Sequence, residues 1–251
     1  MKRKYFWSAC CSMLICSAVL AQVPSPADQK KADSIRWAED EFRLRNDWAN
    51  LKRFEAENNR LPAPKNGEDR VVLMGNSITQ GWSDRDPDFF KSKPYVNRGI
   101  GGQTTPQMLL RFRPDVINLK PKVVVILAGT NDIAGNTGQT SEATILGNIQ
   151  SMALLAQHYG IKVVLSSILP VYDYPWKKGL NPVPKIQSIN TQLKAFARSN
   201  KMVYVDYFTP MADEKNGLRA ELTYDGVHPN LAGYKIMEPL LEAAVQKALK
   251  K

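Results

Sequence analysis

The sequence predicts an α/β protein: a three-layer α/β/α sandwich on a short parallel sheet, with an N-terminal helical arm in front of it. Three observations lead there. Short runs at Val71–Met74, Tyr95–Arg98, Lys122–Ala128, Lys162–Ser167 and Met202–Val205 alternate with longer segments of helical pattern. The run Val-Val-Val-Ile-Leu within Lys122–Ala128 is apolar throughout, as a strand covered on both faces must be. Turn-forming residues gather just after the first three runs, where an open α/β sheet places its ligands.

The first 21 of the 251 residues stand apart from this pattern. Lys2-Arg3-Lys4 is a basic start, Tyr5 to Leu20 is mostly apolar, and Val19-Leu20-Ala21 offers the small residues that favour cleavage after Ala21. Residues 1–21 are therefore expected to be a signal peptide. That implies export to the periplasm or beyond, with no stable membrane anchor after cleavage. An uncleaved anchor is the alternative. Lipidation is disfavoured, because bulky Ile15 precedes Cys16 and no apolar stretch leads into Cys10-Cys11. All three cysteines lie in this leader, so the mature chain would hold no disulfide, thiol nucleophile or thiolate metal site. Losing Lys2, Arg3 and Lys4 lowers the formal charge from +10 to +7. The remaining basic residues form no dense tract, and nucleic acid is not an expected partner.

Ala27 to Asn59 is charged, with Ile35, Phe42, Leu51 and Phe54 spaced along it, and reads as one or two amphipathic helices. Leu61-Pro62-Ala63-Pro64 breaks that pattern, and Asn66-Gly67 marks a turn. Residues 22–66 are thus expected to be an extension that packs on a main domain of residues 67–251. Within that domain Val71–Met74 is a buried strand, Gly75 permits a tight turn, and Ile78–Trp82 begins a helix. Helices are further expected at Thr105–Phe112, continuing through Val116–Leu119, at Thr140–Tyr159 with Gly160 as its stop, at Lys185–Ser199 and at Leu231–Leu249. The segment Val171–Pro184 interrupts the alternation. It holds Tyr172, Tyr174 and Trp176 among prolines, and reads either as a packed surface loop or as the aromatic wall of a cleft, with Tyr172 and Trp176 as substrate-binding candidates.

Four blocks should meet at the carboxyl edge of such a sheet: Gly75-Asn76-Ser77, Gly99 to Thr104, Gly129-Thr130-Asn131-Asp132, and Asp225-Gly226-Val227-His228-Pro229. Ser77 is placed either to cap a helix or to act as a nucleophile. Of the two histidines, His158 sits in the last turn of a helix, where the helix C-terminus explains it. His228 is then the candidate base. Asp225, three residues earlier across a glycine turn, either fixes the imidazole tautomer or merely caps that turn.

Taken together the blocks resemble those of the SGNH hydrolases, the GDSL-type esterases and lipases, over roughly Arg70 to Leu249. Gly-x-Asn-Asp is matched in full at 129–132 and Asp-x-x-His-Pro at 225–229, whereas Asn76 stands where Gly-Asp-Ser is usual. The resemblance implies an SGNH/flavodoxin-like sheet. It also implies Ser77 as nucleophile, His228 as base, Asp225 as its orienting acid, and an oxyanion hole made by the Ser77 and Gly102 amides and the Asn131 side chain. Gly101 is the alternative to Gly102, and Asp132 is expected to hold the loop. The implied activity is that of a secreted serine esterase on short-chain acyl esters, plausible on O-acetylated carbohydrates, with no metal or other cofactor. A lysophospholipid or lipid acetylhydrolase is the enzyme alternative, and a silent sugar-binding protein the non-enzyme one. Gly-x-Ser-x-Gly, the elbow of a typical α/β-hydrolase, is not met, because Thr79 holds the place of its second glycine.

Overall fold

Residues 25–91 and 93–250 are described by a computed structural model; the expected leader lies outside them. Two compact units divide the chain, Met1–Phe42 and Arg43–Lys251. The first contains most of helix α1 (Pro26–Asn46), on which Ile35, Trp37 and Phe42 are exposed. Among the described residues no helix is long and apolar enough to cross a membrane.

The larger unit is built on five parallel strands, β1 (Val71–Gly75), β2 (Tyr95–Gly99), β3 (Val123–Leu127), β4 (Lys162–Ser166) and β5 (Val203–Val205), in the order β2-β1-β3-β4-β5. Alternate residues point to opposite faces of a strand, so each apolar run feeds two cores. Val72, Met74, Val124, Ile126, Val163 and Leu165 face helices α5 (Thr105–Asp115), α7 (Glu142–His158) and α8 (Val183–Ser199). Val71, Leu73, Val123, Val125 and Val164 face α3 (Ser77–Arg85) and α10 (Leu231–Leu249). This is the three-layer sandwich the alternation predicts.

Local chemistry sets the helix ends. Ser141 Oγ accepts from Thr144 N–H at 3.1 Å to start α7. At its far end Gly160, with φ of 72°, lets Ile161 N–H reach Ala156 O and Gly160 N–H reach Gln157 O, the paired bonds of a glycine stop. Thr104 and Gln107 cap α5 reciprocally. α2 (Glu55–Arg60) falls in the segment expected to be helical, while four short elements have no counterpart among the expected helices: α4 (Pro87–Lys91), α6 (Thr130–Ile133), α9 (Phe208–Met211) and a 3-10 turn at Ala220–Leu222. One turn is too short to show a 3.6-residue period.

The chain steps outward from β1 to β2 and then returns to the other side of β1 as β3. The crevice between the carboxyl ends of β1 and β3 is therefore the switch point of the sheet, where ligands bind in folds of this order.

Candidate active site

Ser77 follows β1 directly and is the first residue of α3. Its hydroxyl is not the helix cap. Asn76 takes that role, its Oδ1 accepting from Ile78 N–H at 3.2 Å. That leaves Ser77 Oγ at 2.9 Å from His228 Nε2. His228 Nδ1 in turn lies 2.7 Å from Asp225 Oδ2. A carboxylate on Nδ1 favours the tautomer with its proton there, which leaves Nε2 open to accept from the serine.

The Asp225 turn is held by several bonds. Asp225 Oδ1 accepts from the Val227 and His228 amides, at 2.9 and 2.7 Å. Thr223 Oγ1–H donates to His228 O at 2.7 Å and accepts from Gly226 N–H. The two readings of Asp225 thus hold together: one oxygen caps the turn and the other meets the imidazole. Burial pushes the carboxyl pKa upward, but the bonds from the His228 amide and ring and from Val227 outweigh it, so Asp225 titrates below its ordinary value of 3.8.

Three amide donors lie on the segments that follow β1, β2 and β3. Ser77 N–H is at the first helical position, where no intrahelical acceptor exists. Gly101 N–H is already given to Gln80 Oε1 at 2.7 Å, whereas Gly102 N–H has no acceptor among the described residues. Gly102 has φ of 74°, a left-handed value that favours glycine. Asn131, 2% exposed, gives one amide hydrogen to Gln103 O at 3.0 Å and keeps the other. Asp132 ties this segment to α5: Thr105 N–H and Oγ1–H donate to its carboxylate, the latter at 2.6 Å. Burial raises its pKa to about 6 against those bonds. His158 lies in the last turn of α7, which leads into the amino end of β4, and its ring packs edge-on against Tyr159.

The loop after β4 splits its aromatic residues. Tyr174 is fully buried and shares a hydrogen bond with Thr130 Oγ1 at 3.0 Å. The Trp176 ring centroid is 6.0 Å from that of His228, and its Nε1–H donates to Asn136 Oδ1. Tyr172 is 60% exposed and stacks on none of these rings.

Two contributors gave no sequence signal. Tyr224 stacks on His228 at 5.8 Å with planes 13° apart, and the Arg85 guanidinium lies 4.4 Å from the Tyr224 ring centroid. Arg111, wholly buried, donates to Gly75 O, to Gln103 Oε1 and to Asp115, so one guanidinium links the end of β1 to the segment that holds Asn131. Burial lowers its pKa to about 10, with Asp115 opposing. Tyr224 abuts the Asp225 block, but no motif or spacing marks it, nor an arginine inside α5.

A serine, imidazole and carboxylate in series beside free amide donors, at the switch point of a parallel sheet, place the molecule among α/β acylhydrolases. The chain belongs to the GDSL-like lipase/acylhydrolase family, a class of carboxylic ester hydrolases, whose sequence model matches residues 73–236. The crystal structure of a GDSL-like lipase from Bacteroides thetaiotaomicron is similar with a TM-score of 0.79 and 51% identity, over 80% of this chain and 100% of that one. The uncharacterized lipoprotein YqeF of Bacillus subtilis is 31% identical over 56% of this chain; the match spans 65% of the lipoprotein's length. Human platelet-activating factor acetylhydrolase IB subunit alpha2 is 27% identical over 72% of this chain and 79% of its own.

Proposed function

We propose that the protein is an exported serine esterase that removes short acyl groups, above all O-acetyl groups, from carbohydrates. One observation carries the chemistry: Ser77 Oγ, His228 and Asp225 in series at 2.9 and 2.7 Å. In this reading His228 Nε2 takes the Ser77 proton as Oγ attacks the ester carbonyl. The Ser77 and Gly102 amides and the Asn131 amide receive the oxyanion. Collapse passes the proton from His228 to the leaving alcohol and leaves an acyl-serine. Water, deprotonated by His228, then releases the carboxylic acid and restores Ser77.

The exposed Trp176 ring, 6.0 Å from that of His228, supports a ring-bearing alcohol. A lipid alcohol is the second reading, favoured by the likeness to the acetylhydrolase; an acetyl leaving acid is common to both. Ser77→Ala should fold normally and lose hydrolysis of p-nitrophenyl acetate by several orders of magnitude. A fluorophosphonate should label Ser77 alone. Rates should fall from acetyl past butyryl esters, and Trp176→Ala should harm an acetylated oligosaccharide more than p-nitrophenyl acetate. Retained turnover in the serine variant sinks the mechanism; rates that rise toward octanoyl favour the lipid. Export rests on the leader pattern and on the name of the Bacillus relative, and intact-mass measurement of exported protein should give Gln22 as its first residue.

A further inference from the structure

We infer that a cavity beside the acyl site binds a carboxylate carried by the substrate, so that the ester cleaved is one on an acidic saccharide; this rests on the esterase reading above. The cavity, of about 270 Å³, is lined by Asp132, Gln139, Thr140, Lys177, Asn181 and Lys185. Two of its lining residues are sequence neighbours of residues at the reaction centre. Asp132 follows Asn131 in sequence, and Lys177 follows Trp176, whose ring lies 6.0 Å from that of His228. The Trp176 bond to Asn136 ties the two walls together at 3.1 Å.

Two lysines line this cavity against one carboxylate, that of Asp132. Neither Lys177 nor Lys185 has a carboxylate within 4.0 Å among the described residues. The nearby acids are engaged elsewhere: Asp132 with Thr105, Asp173 with the Tyr174 and Gly179 amides, Glu142 with the Ser188 hydroxyl. Lys185 is half-buried in the first turn of α8, a turn without any acidic residue. A lysine there is opposed by the helix dipole, so helix stability does not account for it. Lys177, an exposed residue, has its Nζ over Gly135, 2.7 Å from where a Cβ would stand. Two unpaired cations in one concavity repel each other, and an anion held between them relieves that repulsion. The amides of Gln139 and Asn181 and the hydroxyl of Thr140 add hydrogen-bonding partners for sugar hydroxyls. The volume falls just below the usual ligand range of roughly 300–1,000 Å³, suiting one sugar unit rather than a long chain.

The test compares an O-acetylated oligogalacturonide with the same oligomer after its carboxylates are reduced to alcohols. The ratio of kcat/KM, acidic over neutral, should exceed one by about three- to tenfold at low salt, the range from a screened ion pair to a hydrogen bond to a charged group. It should fall toward one in the Lys177→Gln/Lys185→Gln double variant and at high salt. Equal rates for the two oligomers, or a preference that survives the double substitution, would overturn the proposal. Calorimetry with Ser77→Ala and the deacetylated oligomers reads the subsite without turnover: the acidic oligomer should bind more tightly, and the advantage should vanish with both lysines replaced. Equal binding also overturns the proposal, as does lysine-dependent binding of inorganic phosphate without binding of the acidic oligomer. Failure to cleave p-nitrophenyl acetate strikes the esterase reading instead and leaves the calorimetry to decide the subsite.

Discussion

Asp225 divides its two oxygens between a turn and an imidazole, and its titration follows from that division. Its pKa lies below the ordinary 3.8, so the bonds it accepts stabilise the fold fully above that pH. Their contribution is lost as pH falls through the lower native value. The difference in Tm between wild type and Asp225→Asn should hence be constant above pH 3.8 and shrink below it. A difference that grows on acidification would contradict the direction of the shift. The same variant should lose on the order of 10⁴ in kcat, the size of loss that follows when an imidazole is left in the wrong tautomer. Asn131 carries a separate expectation. Asn131→Ala removes one proposed donor to the oxyanion and should cost about 10²–10³ in kcat. It also removes the bond to Gln103 O, and about 1 kcal/mol of stability should go with it. An unaltered kcat would exclude Asn131 from the hole.

Among elements, the contact of α3 with the sheet decides where Ser77 stands. Gly75 and Gly99 are partners in register at the ends of β1 and β2. A side chain on Gly99 would run into the backbone of Thr79 and Gln80, in the first turn of α3. Gly99→Ala should accordingly force the helix outward, cost about 1–3 kcal/mol and reduce esterase activity through displacement of Ser77. Gly101→Ala meets chiefly the Gln80 side-chain oxygen, 3.3 Å away, and should be milder. Thermal unfolding with p-nitrophenyl acetate assays of both variants checks the order; a milder Gly99 variant would mean that α3 is not pinned there. The loop after β4 shows the converse case. Its buried Tyr174 anchors it to Thr130, which permits Trp176 to project toward His228.

At the scale of the larger unit, residues 48–58, which precede the first strand, are tied to the sandwich. Gln103 and Gln107 donate to the carbonyls of Ala49 and Trp48, and Phe54 is buried. Asn58 is the principal tie: its Oδ1 accepts from Arg98 Nε and Nη2, while its Nδ2 donates to Asp115 Oδ1 at 2.7 Å. Asp115 is also the partner of Arg111, so the Asn58 segment reaches the buried network behind β1 in a single step. Asn58→Ala should leave the Arg98 guanidinium short of acceptors and cost about 1–3 kcal/mol, read by denaturant unfolding. A loss below about 0.5 kcal/mol, the range of an ordinary surface substitution, would show that this tie does not hold the Asn58 segment to the sandwich.

The sequence by itself determined the sheet, its parallel strands and the four blocks at its carboxyl edge. Those follow from local signals: apolar runs buried on both faces, glycines where the chain turns, and sidedness imposed by strand–helix alternation. It also narrowed the candidate base to His228, since the other histidine had a local explanation. Only the tertiary structure decided between Gly101 and Gly102 as the free amide, because the choice depends on where Gln80, some 20 residues earlier, directs its oxygen. Only it separated Trp176 from Tyr172, revealed Tyr224 stacked on the imidazole with Arg85 against the Tyr224 ring, and set Arg111 behind Asn131. Hydrogen bonds and ring contacts between residues distant in the chain leave no periodicity to read; they exist only once packing has fixed which side chains meet.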